Sequence, residues 1–222
     1  MKRSHPAPRR GFTLIELLVV MSLIAILLVL GLLAVEYAMN RSRYQDTAVL
    51  VKSVHSAIEE YKDERGHYPR PADEEETVVV KNETWRVGGA RMLYQVLSGD
   101  GTDAIRNGDK RSTGEQASAR EDSDPLAGRI YLDTIQPPSP KMRQEKREAR
   151  HVGAEGEDCF YVVDAWRHPL RYRRPAPDES GPVSSGGSFS GAAFEMWSYG
   201  KLKKPAEGDE DREKWVTNWK DH

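Results

Sequence analysis

Residues 11–35 read GFTLIELLVVMSLIAILLVLGLLAV. From residue 17 to residue 35 there is no charge, a length matching the ~20 residues a helix needs to cross a bilayer. Ahead of it, residues 1–10 carry Lys2, Arg3, Arg9 and Arg10 and no acid. That flank predicts a cytoplasmic N-terminus, with everything after residue 35 on the far side of the membrane. A secretory signal peptide would have a shorter apolar region closed by a small-x-small cleavage site; this block is too long and has no such site. A plain anchor fits the length and the charge but not Glu16. An ionised side chain inside a spanning helix costs about 2.5–3.5 kcal/mol at its centre and less near an interface. A carboxylate kept at that place calls for a partner.

The helical pattern runs on past the membrane. In RSRYQDTAVLVKSVHSAIEEYKDERGHYP, residues 41–69, Tyr44, Ala48, Val51, Val54, Ile58 and Tyr61 recur at three- and four-residue steps, and Leu50 and Ala57 widen the stripe. Lys52, Glu59, Glu60, Lys62 and Asp63 cover the other side, and His55 lies between the two faces. With no second ligand at helical spacing, His55 reads as an ordinary half-buried histidine. Gly66 suits a C-cap and Pro69 forbids continuation. Residues 12–65 as one helix would span roughly 80 Å. The apolar stripe of its outer half needs cover, and the C-terminal region is the natural source.

The 222 residues suffice for an anchor and one domain, or for two small domains. Formal charge is −2, which gives no general attraction to nucleic acid. Only 38 % of residues are hydrophobic, many of them in the N-terminal block, so the remainder is expected to have a modest core and long loops. Cys159 is the single cysteine and excludes an intrachain disulfide. It reads as a buried thiol in an apolar strand. No nucleophile elbow, P-loop, dinucleotide fingerprint or HExxH pattern occurs, which argues against an enzyme.

Beyond Pro69 the periods are short. TVVVKNETWRV reads as a strand pair turning at Lys81 and Asn82, and GARMLYQVLSG as a short helix ending at Gly99. Residues 100–128 are rich in Gly, Asp, Ser and Arg and read as a loop. KMRQEKREAR reads as a short exposed helix. DCFYVVDAWRHPLRYRR reads as a hairpin with strands at 160–163 and 170–173 and a turn at 166–169. SGPVSSGGSFSGAA is a loop and FEMWSYG a last strand.

The stretch GFTLIELLVV resembles the processing site of type IV pilin-like proteins, the class III signal sequence. The resemblance implies cleavage by a prepilin peptidase after Gly11, N-methylation of Phe12 as the new terminus, and a hallmark role for Glu16. The amine freed on Phe12 would pair with the Glu16 carboxylate of a neighbouring subunit; a paired charge is tolerated in hydrocarbon where an unpaired one is not. Removing the leader also removes four of the 33 Lys and Arg, against 35 acidic residues, so the exported part is mildly acidic. Many family members carry a proline in the later half of the apolar helix; this chain has Leu33 there and no proline between Phe12 and Tyr68.

Further pieces follow the same family. YKDERGHYP, DAWRHPLRYR and FEMWSYGK with VTNW are similar to the helix end, the Asp-x-Trp-x-x-Pro turn and the last strand of the major pseudopilins of type II secretion systems. The expected fold class is therefore α+β, with a long N-terminal helix, membrane-spanning in its first half, packed on a small antiparallel sheet. The expected divisions are a leader at 1–11, a filament-core helix at 12–35, its amphipathic continuation at 36–66 and a periplasmic head at 67–222. The family closes its C-terminal loop with calcium, which implies Glu207, Asp209, Glu210 and Asp211 as ligands, hard oxygens that suit Ca²⁺. Leu202 stands where the family has an aspartate.

The resemblance implies a single-pass inner-membrane protein that assembles into a helical filament. Its partners would be copies of itself, the prepilin peptidase, an inner-membrane assembly platform, minor pseudopilins and, before assembly, membrane lipid, but not nucleic acid. The alternatives are a type IV pilus pilin or minor pilin, and a membrane-tethered periplasmic binding domain whose tryptophans line a site.

Overall fold

Helix α1 (Leu14–Arg65) is 52 residues long and carries both the apolar block and the amphipathic stretch. The computed structural model describes residues 13–71, 73–99, 129–136, 142, 149–155, 159–174, 192–202, 204–205 and 212–219. The expected exposed helix at 141–150 and the loops at 100–128 and 180–193 lie wholly or mostly outside them. After α1 come β1 (Thr77–Val80), β2 (Glu83–Arg86), α2 (Gly88–Ser98), a 3-10 turn (Asp133–Ile135), β3 (Val152–Glu155), β4 (Cys159–Val162), β5 (Arg171–Arg173), β6 (Glu195–Ser198) and β7 (Val216–Thr217). This is an α+β arrangement of a long N-terminal helix and small antiparallel sheets, consistent with a pilin-like fold. By its contacts the chain divides into two units, Met1–Ser42 and Arg43–His222.

In the first unit, every side chain from residue 13 to residue 39 is exposed. The most apolar 18-residue window reaches a mean hydropathy of 3.2 with none of it buried. The core helix of a soluble domain with that composition would be covered.

In the second unit, α1 buries Thr47, Leu50, Val51, Val54, Ala57, Ile58 and Tyr61. The stripe read from the sequence is thus the core face, with one exchange at its start. Tyr44 stays 38 % exposed. Thr47 is buried instead, because its hydroxyl accepts the Ala165 N–H at 3.2 Å. The stripe packs on Leu93 and Leu97 of α2, Phe160 and Val162 of β4, Tyr172 of β5 and Met196 of β6. At Gly89 an added Cβ would meet the Tyr172 carbonyl oxygen at 2.9 Å, so the first turn of α2 can lie against β5 only without a side chain there.

The helix ends as its residues predict. Gly66 adopts φ 77° and its N–H closes on the Lys62 carbonyl at 2.8 Å. The next residues are tied at both ends. The Tyr68 hydroxyl donates to Glu59 at 3.1 Å, while the Tyr68 carbonyl accepts from Arg174 at 3.0 Å and that of Pro69 from the Tyr172 hydroxyl at 2.9 Å.

Three separate antiparallel sheets are present among the described residues: β1–β2, β3–β4 and β5–β6–β7. β1 and β2 turn through Lys81 and Asn82, both at positive φ (54° and 67°), the geometry that matches the twist of a tight hairpin. The hairpin expected from residues 160–163 and 170–173 is not a ladder. β4 pairs with β3, and β5 pairs with β6. Between them remain only the Val163–Pro169 bridge and a bond from the Leu170 N–H to the Val162 carbonyl at 3.1 Å. The reason lies in the turn: Asp164 closes on His168 at 2.9 Å, and past it the chain passes from one sheet to the next. β3 escaped the sequence reading because Val-Gly-Ala-Glu carries neither a β-branched run nor strict alternation. Cys159 is half-buried at the start of β4, less covered than expected.

A second core cluster gathers Val78, Trp85, Val87, Tyr161, Trp197, Tyr199 and Trp215. Trp197 stacks on Trp215 at 5.3 Å and 11°, and Tyr199 meets Trp85 and Trp215 edge-on at 5.5 and 5.6 Å. These tryptophans pack in one aromatic cluster as core. Trp166 and Trp219 are half-buried.

Candidate assembly site

Glu16 lies in the first turn of α1. Its carboxylate accepts the Thr13 N–H at 2.8 Å and the Thr13 hydroxyl at 2.8 Å, and the Glu16 N–H approaches the same hydroxyl oxygen at 3.3 Å. This is a capping box: the residue before the helix and the third residue within it satisfy each other's backbone donors. The acid also sits where the helix dipole is positive. Two of the N–H groups left over at a helix start thereby find acceptors. The signal is present in the sequence as Thr-x-x-Glu ahead of an apolar run.

The box bears on the cost of an acid in the apolar block. Within one chain, Glu16 has hydrogen-bond donors and is not a bare carboxylate. The bond to the Thr13 N–H also turns the carboxylate back toward the start of the chain. Gly11 and Phe12 lie outside the described residues. Down the helix, Ser22 returns its hydroxyl to the Leu18 carbonyl at 2.8 Å, which leaves the surface apolar. Nothing comes within 4 Å of the place where Gly31 would carry a Cβ.

The head has its own polar node in the DAWRHP turn. Asp164 is 1 % exposed. One of its oxygens accepts the N–H groups of Trp166 and His168 at 2.8 and 2.9 Å, and the other accepts the Ser198 hydroxyl at 2.5 Å. The Ser198 oxygen in turn accepts the Gly200 N–H at 2.8 Å, and the Lys81 ammonium donates to the Trp166 carbonyl at 3.3 Å. Burial pushes the Asp164 carboxyl up to about 6, against the pull of those donors. The His168 ring lies flat on Trp85 at 4.4 Å and 14°. Burial first, and then the Lys81 charge, lower it to about 4. Ser198, His168 and Asp164 do not form a nucleophilic relay. The serine donates to the aspartate and not to the histidine, His168 Nδ1 stands 3.9 Å from Asp164, and all three are buried. Arg167 holds φ 69° in this turn, and its guanidinium donates to the Ala149 and Val152 carbonyls at 2.8 and 2.9 Å, tying β3 to the turn.

The proposed calcium ligands Glu207, Asp209, Glu210 and Asp211 lie outside the described residues. Among the described residues no cluster of three or more His, Cys, Asp or Glu is placed to hold a metal.

Residues 7–32 match the prokaryotic N-terminal methylation motif. No curated protein and no solved structure matches the chain. The motif takes in Arg9 and Arg10 of the basic flank, the capping box and most of the apolar block; it carries the prepilin-peptidase signal and points to a structural subunit anchored in the inner membrane by its apolar helix. Together with the fold, it supports a type IV pilin-like protein.

Proposed function

We propose that this chain is a filament subunit of the major pseudopilin kind, working in the pseudopilus of a type II secretion system. Cleavage after Gly11 frees the Phe12 amine, and the apolar half of α1 then leaves the bilayer to pack among copies of itself. Glu16 meets the Phe12 amine of a neighbour and sets the axial register. The head faces the periplasm, and subunits added at the base lengthen a rod that pushes cargo outward. Energy for that work would come from a separate ATPase.

One observation carries this reading: an acid heads a helix whose residues 13–39 lie wholly uncovered and almost wholly apolar. Such a surface needs either lipid or other helices. A simple anchor is satisfied by lipid and draws from Glu16 only the capping box at the helix start. The similarity of the helix end, the Asp-x-Trp turn and the last strand to major pseudopilins favours the secretion filament over a pilus. So does the lone cysteine, since pilins commonly close the C-terminal loop with a disulfide.

Mass spectrometry of protein purified from cells carrying the matching peptidase should find an N-methylated Phe12 at the start; an intact Met1 would overturn the reading. Glu16→Leu should insert normally and lose cross-links between neighbouring N-terminal helices. Undiminished cross-linking in that variant would refute the role of the carboxylate.

A further inference from the structure

Strand β7 is held by its ladder to β6, by Trp215 in the second core cluster and, just past the strand, by the side chain of Asn218. Asn218 exchanges both partners with Met196: its N–H donates to the Met196 carbonyl at 3.0 Å, and its Oδ1 accepts the Met196 N–H at 2.9 Å. The second contact settles which way the amide points, because only the oxygen can accept. Nδ2 therefore faces the Phe194 carbonyl at 3.4 Å and His55 Nδ1 at 3.3 Å. Two N–H groups meet two atoms, and both must be acceptors. His55 Nδ1 then carries no proton, and the neutral ring keeps its proton on Nε2. The ring is held in place by Phe194, 5.0 Å away at 36°.

We propose that His55 and Asn218 form a proton-sensitive latch that fastens the C-terminal strand β7 to helix α1. A second proton on the imidazole places an N–H on Nδ1, facing the Asn218 N–H. The bond is then lost and two donors oppose each other. The amide cannot flip to compensate without giving up Met196. On α1, Lys52 and Glu59 lie about one turn to either side, and Glu59 is engaged by the Tyr68 hydroxyl. Tyr68 stacks on the same Phe194 ring at 5.3 Å, and Glu195 follows in β6, fully buried. The latch does not depend on a role in a filament: it concerns only how the head closes its last strand.

Two measurements on the full-length chain in detergent micelles test it. Nitrogen chemical shifts of the His55 ring should report a bare Nδ1 and a protonated Nε2 on the alkaline side; the opposite tautomer would overturn the proposal. Hydrogen exchange of residues 212–219, corrected for the intrinsic rate, should then be followed between about pH 8 and about pH 5. Protection should fall about tenfold on acidification, the scale of one lost hydrogen bond. His55→Gln offers an acceptor that does not titrate and should hold its protection throughout. A flat profile for the natural chain, or an equal fall in His55→Gln, would overturn the proposal.

Discussion

Asp164→Asn should change how the head responds to acid, and the size of the change follows from two opposed groups in one turn. Asp164 titrates near 6 in the folded chain against 3.8 when free. A carboxyl with a raised value binds its proton earlier in the folded state. Its stabilising contribution is fully present below about 3.8 and is lost as pH rises through about 6. His168 runs the other way, at about 4 against 6.5. Its contribution is present above 6.5 and is lost as pH falls toward 4. At 1.36 kcal/mol per unit, each group is worth about 3 kcal/mol over its window. Between pH 6.5 and pH 4 they nearly cancel, so the natural chain should show a shallow profile from this turn. Asparagine keeps an acceptor for the Trp166 and His168 amides but cannot take up the proton. The variant should therefore lose about 2–3 kcal/mol more than the natural chain between pH 7.5 and pH 4, from the unopposed histidine. Its constant cost, the missing acceptor for the Ser198 hydroxyl, cancels in that difference. The assay is urea unfolding of the full-length protein in micelles at a series of pH values, read by tryptophan fluorescence, since Trp85 lies on His168. Parallel profiles for variant and natural chain would refute the assignment. His168→Gln should give the mirror image, gaining stability as pH falls from 6.5 to 4.

Gly153→Ala puts a Cβ 2.5 Å from the Tyr161 ring and 2.8 Å from a Val163 methyl, both in the second core cluster, so it should cost about 1–3 kcal/mol and lower Tm. Arg91 is 5 % exposed and bonded to Glu76 at 2.5 Å and to Glu155. Arg91→Ala should cost about 3–5 kcal/mol by removing a buried guanidinium that bonds two carboxylates, and Arg91→Ala combined with Glu76→Gln should recover part of that in the same denaturation assay. Calcium held by Glu207, Asp209, Glu210 and Asp211 should stabilise the full-length chain by about 2.7 kcal/mol at a hundredfold excess over Kd, reversed by a chelator; absence of both heat and a Tm shift in titration would remove that site.

The parts legible beforehand are those with a strong local period or a single-residue signal. The stripe from Val51 to Tyr61, the stop at Gly66, the turn at Lys81 and Asn82 and the helix before Gly99 all fall where their residues place them. The exceptions are instructive. Thr47 lies buried because a backbone N–H from residue 165 needs an acceptor, a demand that arises 118 positions away. The strands flanking Asp164 look like one hairpin from their residues alone. The carboxylate at their junction binds three donors and turns the chain into another sheet. β3 and β7 are too short and too plain to announce themselves. At the candidate assembly site Glu16 is legible as an anomaly, and Thr13 as its intrachain partner only through the spacing of a capping box.

The amino-acid sequence by itself determined the anchor, the acid at its head and the long helix, because each rests on contacts within a turn or two and on the price of charge in hydrocarbon. Tertiary structure alone decided which strands pair, that three tryptophans become core, and that Asn218 reaches His55. Those outcomes depend on which groups meet across long stretches of chain, where short strands carry too little local preference to choose a partner and buried polar atoms accept whichever donor the packing delivers.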